Sequence, residues 1–346
     1  MKKLFLFSSG MLSVFFMSCT PNEPNPTNTV NAVDVYVAGS NQGKAAYWKN
    51  DVPTNLTDGT HLADGNAVVV VGNDVYVAGY ETKTVLVSNP VGGNTPIEAK
   101  EAKYWKNGVA VNLTTATTTD YIDSEAKSIK VIGNDVYVCG NDGSETAVYW
   151  KNGVKTVLST GNRDQANEIE VVGSDVYVAG AAGQGTSAAY WKNGVQTILS
   201  DQFGSYATSI AISGTDVYVA GVIQGNPIEG TTDKAVYWKN GLETILNTNG
   251  DARSIAVVGN DIYVSGTVSL GSNGSSTASY WKNGVAINLS TAPSTGDSIA
   301  VLNNVVYVAG TTSGVTTNAT AWINGVQTSA GASTIGNSIF VVEQNN

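Results

Sequence analysis

Histidine is almost absent from this chain: His61 is the only one. A multi-histidine zinc or copper centre therefore cannot be built. Arginine is nearly as scarce, with Arg163 and Arg253 alone. The sequence has no G-x-S-x-G elbow, no paired Cys and His, and no phosphate-cradling glycine loop with its lysine. The familiar signatures of nucleophile elbows and phosphate sites are thus missing. Long stretches of Leu, Ala, Glu and Lys are lacking too, while Gly, Thr, Ser, Asn and Val abound, a balance that favours strands and turns over helices. The formal charge is −10, which repels phosphate backbones and makes nucleic acid a poor partner. Neither carboxylate-rich loop, "TDGTHLADGN" or "TTTDYIDSEAK", has EF-hand spacing, so no metal site and no cofactor is expected.

What is present begins with an export signal. Lys2 and Lys3 precede an apolar stretch from Leu4 to Phe16, broken by Ser8, Ser9, Gly10 and Ser13, too short for a stable span. Residues 1–18 read as a signal peptide, and their removal takes the charge to −12. The "FMSC" that follows resembles the lipobox of bacterial lipoproteins, which implies acylation of Cys19 and a lipid anchor in the cell envelope, at the outer membrane or cell surface. An ordinary signal peptide with a chance cysteine is the competing reading. Residues 19–32, "CTPNEPNPTNTVNA", are polar and rich in Pro and Asn, as a tether is. With Cys19 acylated, Cys139 has no thiol to pair with, and "YVCG" in place of "YVAG" marks it as a small buried strand residue.

Residues 33–346 are repetitive. "YVAG" or a near variant places Tyr at 36, 76, 137, 177, 218, 263 and 307, and every Trp falls in a second phrase, at 48, 105, 150, 191, 238, 281 and 322. Alternation and turn chemistry divide the unit into strand A ("SIxVxG"), B ("DVYVAG"), C ("AxYW") and D ("VxxxL"), with "GND" and "KNG" as tight turns. Four antiparallel strands repeated seven times predict an all-β, seven-bladed β-propeller. The chain opens on a B strand and ends on an A strand, "SIFVV", so Ser338–Val342 should complete a blade with residues 33–57 and remove two sheet edges. Antiparallel pairing of B and C is expected to set Asp34, Asp74, Asp135, Asp175, Asp216 and Asp261 opposite Lys49, Lys106, Lys151, Lys192, Lys239 and Lys282. In the seventh unit both change together, to Val305 and Ile323.

The unit also resembles the blade of kelch-type propellers, "AVVGNDIYVSG…SYWKNG…L" echoing their "YVxGG…Y…W", though without the double glycine and with Tyr and Trp adjacent. That resemblance implies a shape more than an activity, since kelch-like domains include protein-binding scaffolds and a copper oxidase. The single histidine excludes the oxidase's copper site, and two arginines cannot form the three-arginine clamp of sialidase propellers.

Function is expected on the face carrying the variable B–C and D–A loops, of which residues 80–103 are the longest. The positions after a small residue at the start of strand A should ring the channel mouth: Asn66, Lys127, Asn167, Thr208, Arg253, Asp297 and Asn337. They could bind a small polar ligand, or simply suit a wet channel. Inside it, Lys130 and Glu170 should pair. Tyr121, Phe203 and Tyr206 are loop aromatics able to stack on sugars. The expectation is a monomeric, non-enzymatic binding or scaffold module for an extracellular glycan or an envelope protein. The alternative is a glycoside hydrolase or lyase drawing on Asp64, Asp123, Asp164, Asp251 and Asp297.

Overall fold

A computed structural model describes residues 32–344, apart from 89–92, 118–122, 144–145, 160, 162, 227, 270–274, 314–316 and 333. The expected signal peptide, Cys19 and the tether lie outside the described residues, as does Tyr121.

Seven four-stranded antiparallel sheets form the seven blades. Blade 2 is typical: strand A is Glu125–Ile132, B Asp135–Asn141, C Ala147–Lys151 and D Val154–Val157. The closing blade takes strand A from Thr334–Glu343 and strands B to D from Val33–Asn41, Lys44–Lys49 and Val52–Asn55. Val37 faces Ile339 across that joint.

The core lies between blades. Trp150 is 1% exposed and packs with Ile129 and Val138 of its own blade against Val69, Tyr76 and Ala102 of blade 1. Trp191 does the same against Tyr137 and Ala147 of blade 2, and Trp48 against Tyr307 and Ala319 of blade 6. Burying a side chain of this size contributes about 1.5–3 kcal/mol. Cys139 sits in one of these layers, fully buried.

The "WKNG" turn works differently from the expected register. In blade 2 the residue opposite Lys151 is Tyr137, not Asp135. Asp135 stands two positions earlier, and the twisted lysine reaches it diagonally, Nζ to Oδ2 at 2.8 Å. On the way Nζ passes over the Tyr137 ring, 5.0 Å from its centroid. Asn152, at φ 51° before Gly153, donates Nδ2 to Asp135 Oδ1 at 2.8 Å and accepts the Val136 amide on Oδ1 at 2.9 Å. Lys151 and Asn152 together hold the Asp135 carboxyl below its usual range. The same ion pair recurs at Asp34, Asp74, Asp175, Asp216 and Asp261. In blade 6, where Val305 and Ile323 replace the pair, Asn324 Oδ1 still accepts the Val306 amide at 2.9 Å.

Residues 80–103 are not a loop for most of their length. Strands B and C of blade 1 continue outward as Asp74–Ser88 and Asn94–Lys106, making a long hairpin arm. Thr and Val residues extend the ladder, and Val85 and Ala99 bury against Ala116.

Candidate functional site

Each A strand carries one bulged residue near its start, without a partner in the A–B register. The bulged residues are Asn66, Lys127, Asn167, Thr208, Arg253, Asp297 and Asn337, and all seven line one axial cavity of about 240 Å³. A glycine opposite makes the bulge possible. A Cβ on Gly140 would stand 1.9 Å from Glu125 O, so the last letter of "YVAG" keeps the crossing chain close and aims Lys127 inward.

The ring side chains tie blade to blade. Asn66 Nδ2 donates to Ala126 O at 2.9 Å, Asn167 Nδ2 to Ala207 O at 2.8 Å, and Thr208 Oγ1 to Ala252 O at 3.0 Å. Asn337 Nδ2 reaches Gly65 O at 3.1 Å and Lys127 Nζ reaches Asn167 Oδ1 at 3.0 Å. Arg253 bonds Asp297 of the next blade and Asp251 of its own, the latter at 2.8 and 3.0 Å. Burial works against the Arg253 charge, but Asp297 and Asp251 outweigh it and hold the guanidinium protonated. Deeper in the cavity, Lys130 Nζ lies 2.7 Å from Glu170 Oε2 as expected.

One position further along, the next blade's amide is satisfied. Ser209 Oγ accepts Ile255 N at 3.0 Å, and Ser298 Oγ accepts Ile339 N at 3.2 Å. In blade 3 the serine is replaced by Glu168, whose Oε2 accepts Ile210 N at 3.1 Å. Burial pushes the Glu168 carboxyl up to about 7.

Two residues before the bulge, Asp64, Glu125, Gln165, Tyr206, Asp251, Thr295 and Ile335 occupy equivalent positions toward the loop face. Here the arm matters. Glu125 accepts from Asn66 Nδ2 at 2.8 Å and from Lys100 Nζ at 3.3 Å, and Lys100 Nζ stands 4.0 Å from the Tyr80 ring centroid. Asp64 accepts from Asn337 Nδ2 at 3.0 Å. Burial first, then the nearby Glu125 charge, pushes its carboxyl up to about 7. Across the mouth, burial raises the Tyr206 hydroxyl beside Asp251 and Arg253.

The expected site residues divide accordingly. The seven ring residues gather at the axis and Tyr206 stands near Asp251 and Arg253, whereas Phe203 is 83% exposed on a D–A loop. Asp164 is buried, with Oδ1 accepting the Gln184 amide at 3.0 Å, so it pins a loop. Asp58 bonds Thr60, and His61 Nδ1 lies 3.4 Å from Glu98 on the arm, so neither joins Asp64. Among the described residues no cluster of three His, Cys, Asp or Glu side chains could hold a metal ion. The sequence pointed to Glu125 only as one carboxylate of the "TTTDYIDSEAK" loop and gave no sign of Tyr80, Lys100 or Glu168; aligning the repeats on the bulge exposes Glu168.

Topology and axial cavity together define a seven-bladed β-propeller. No family model matches the sequence, and no curated protein does. Among solved structures the chain is similar to an acylaminoacyl peptidase from Pyrococcus horikoshii, with 12% identity and a TM-score of 0.41 over 86% of this chain and 52% of that one. A Trypanosoma rangeli sialidase in complex with sialic acid gives 10% identity and a TM-score of 0.41 over 81% and 54%. A computationally designed protein, Ika4, gives 12% and 0.26 over 44% and 89%. The chain thus spans about half the length of the peptidase and the sialidase.

Proposed function

We propose that this is an exported, lipid-anchored propeller that binds a partner on its loop face without transforming it, the partner being an extracellular glycan. An envelope protein on the same face is the other binding partner considered. The observation that carries the reading is the axial mouth. Asn66, Asn167, Thr208 and Asn337 donate between blades and leave their side-chain oxygens there as neutral acceptors, while Arg253 and Asp297 neutralise each other. A polar, charge-compensated concavity of this kind suits a polyhydroxylated ligand better than an apolar one. Residues 20–346 should bind at least one member of a glycan array, and Asn167→Ala with Asn337→Ala should weaken that binding. An empty array together with an empty pull-down from envelope fractions would sink the reading. Anchoring is tested separately: Cys19→Ala should release the protein from membranes, and unchanged association would refute lipidation.

A second reading, a carbohydrate-active enzyme, is favoured by one specific observation. Asp64 keeps its proton near neutral pH beside the ionisable Glu125, with Tyr80 and Lys100 close by. A protonated carboxyl near a second carboxylate is the pairing that general acid catalysis uses. Cleavage of any polysaccharide in a broad panel, lost in Asp64→Asn and Glu125→Gln, would establish this reading. Absence of cleavage across the panel leaves the binding function.

A further inference from the structure

A second cavity, about 360 Å³, opens on the loop face where blades 1, 2 and 3 meet, and its wall includes Lys100, Lys127, Arg163, Asn141 and Gln165. Three cations on one wall are a local concentration in a chain of net charge −10. Six of the other lysines are spent on the turn-face ion pairs.

The two carboxylates that share the wall are already engaged. Glu125 holds Lys100 and Asn66, and Asp123 Oδ1 accepts the Lys100 main-chain amide at 2.9 Å. Lys127 differs. Its partner is the neutral Asn167 Oδ1, and among the described residues no carboxylate oxygen lies within ion-pair distance of its Nζ. Burial, aided by the Lys100 charge and opposed by Glu125, lowers its pKa, which is the signature of a cation short of a counter-ion. Asn141 fixes its side of the wall, its Nδ2 donating to Asp164 O at 2.8 Å.

We propose that this pocket takes a uronate, the carboxylated unit of an acidic glycan, with Lys127 as the counter-ion of its carboxylate. The inference rests on the glycan reading above and names the class of sugar. A neutral sugar leaves Lys127 uncompensated. A dianion such as a phosphate monoester meets repulsion from Glu125 and Asp123, which a monoanion feels only half as strongly. The pocket is large enough for a single ring and its substituents.

The test uses residues 20–346 and calorimetric titration with oligogalacturonates, and with the same oligomers after reduction of their carboxylates to alcohols. The acidic form should bind about tenfold more tightly or better, the scale of one ion pair formed in a partly desolvated site. Lys127→Gln should abolish that preference, Lys127→Arg should retain part of it, and Lys234→Gln on blade 4 should leave it intact. Circular dichroism melts of each variant establish that the fold persists. Equal binding of both forms, or a preference that survives Lys127→Gln, overturns the inference while leaving the glycan reading standing. So does a sulfated, carboxyl-free oligomer that binds as well as the uronate. If no oligosaccharide of any kind binds, the glycan reading falls and the inference falls with it.

Discussion

Gln344 Nε2 donates to Asp34 Oδ1 at 2.7 Å, tying the residue just past the last strand to the first strand across 310 residues of sequence. It sits at one end of the Val33–Asn41 and Thr334–Glu343 pairing, which closes the ring. Closure leaves no blade short of its innermost strand. Removing residues 338–346 should therefore expose the B strand of the closing blade and strip Ile339 from its layer with Trp48 and Tyr307. The expected result is a broad, less cooperative melt by circular dichroism and calorimetry. A truncated chain that unfolds as sharply and at the same temperature would refute closure as a source of cooperativity.

Glu168 sets a pH dependence. An unfolded glutamate loses its proton near 4.5, whereas this one keeps it to about 7. Between those values the folded state binds more protons, so stability is fully present below about 4.5 and declines as pH rises towards 7. Asp64 acts in the same direction. Glu168→Ser restores the serine found at this position in blades 2, 4, 5, 6 and 7, and its hydroxyl can take over the Ile210 amide. Compared with the parent, the variant should gain more stability at pH 8 than at pH 5, read by urea unfolding at both. A parent protein equally stable at both pH values would contradict the assignment.

Lys130 and Glu170 bridge blades 2 and 3 with side chains 34% and 22% exposed. Partial solvation limits their coupling to roughly 1 kcal/mol. Lys130→Met and Glu170→Leu should each be destabilising, and the double variant should lose less than the sum of the two. A double-mutant cycle from denaturant midpoints measures it; strictly additive effects would show that the bridge is not energetically coupled.

Trp191 is fully buried, yet its Nε1 has no hydrogen-bond partner among the described residues. Its worth is therefore packing. Trp191→Ala should cost about 3–5 kcal/mol, and Trp191→Phe distinctly less, since no hydrogen bond is lost. Equal losses for the two would point to a role for the indole N–H.

Much of the architecture was legible because its determinants are local. Asn152 and Gly153 fix a hairpin turn at positive φ whatever surrounds them, and the same pair or its near equivalent recurs in every blade. The coupled change to Val305 and Ile323 correctly flagged B and C as neighbours, but it could not reveal the register. Strand twist lets Lys151 reach Asp135 diagonally while facing Tyr137, and alternation alone does not distinguish those two geometries. The arm over residues 80–103 was hidden for a related reason, since its Thr, Lys and Glu residues resemble a loop until the two halves pair.

The sequence by itself determined four strands per unit, seven units, the strand that closes the ring, and the seven residues that line its axis. Turn chemistry and period-two alternation act over a few residues, and repetition multiplies them. Only the tertiary structure decided which charges meet: Lys100 with Glu125, Arg253 with Asp297, Glu168 with the Ile210 amide, and Lys127 with no carboxylate. Those contacts cross from one blade to the next, where distance is set by how the tryptophan layers stack and not by any spacing along the chain.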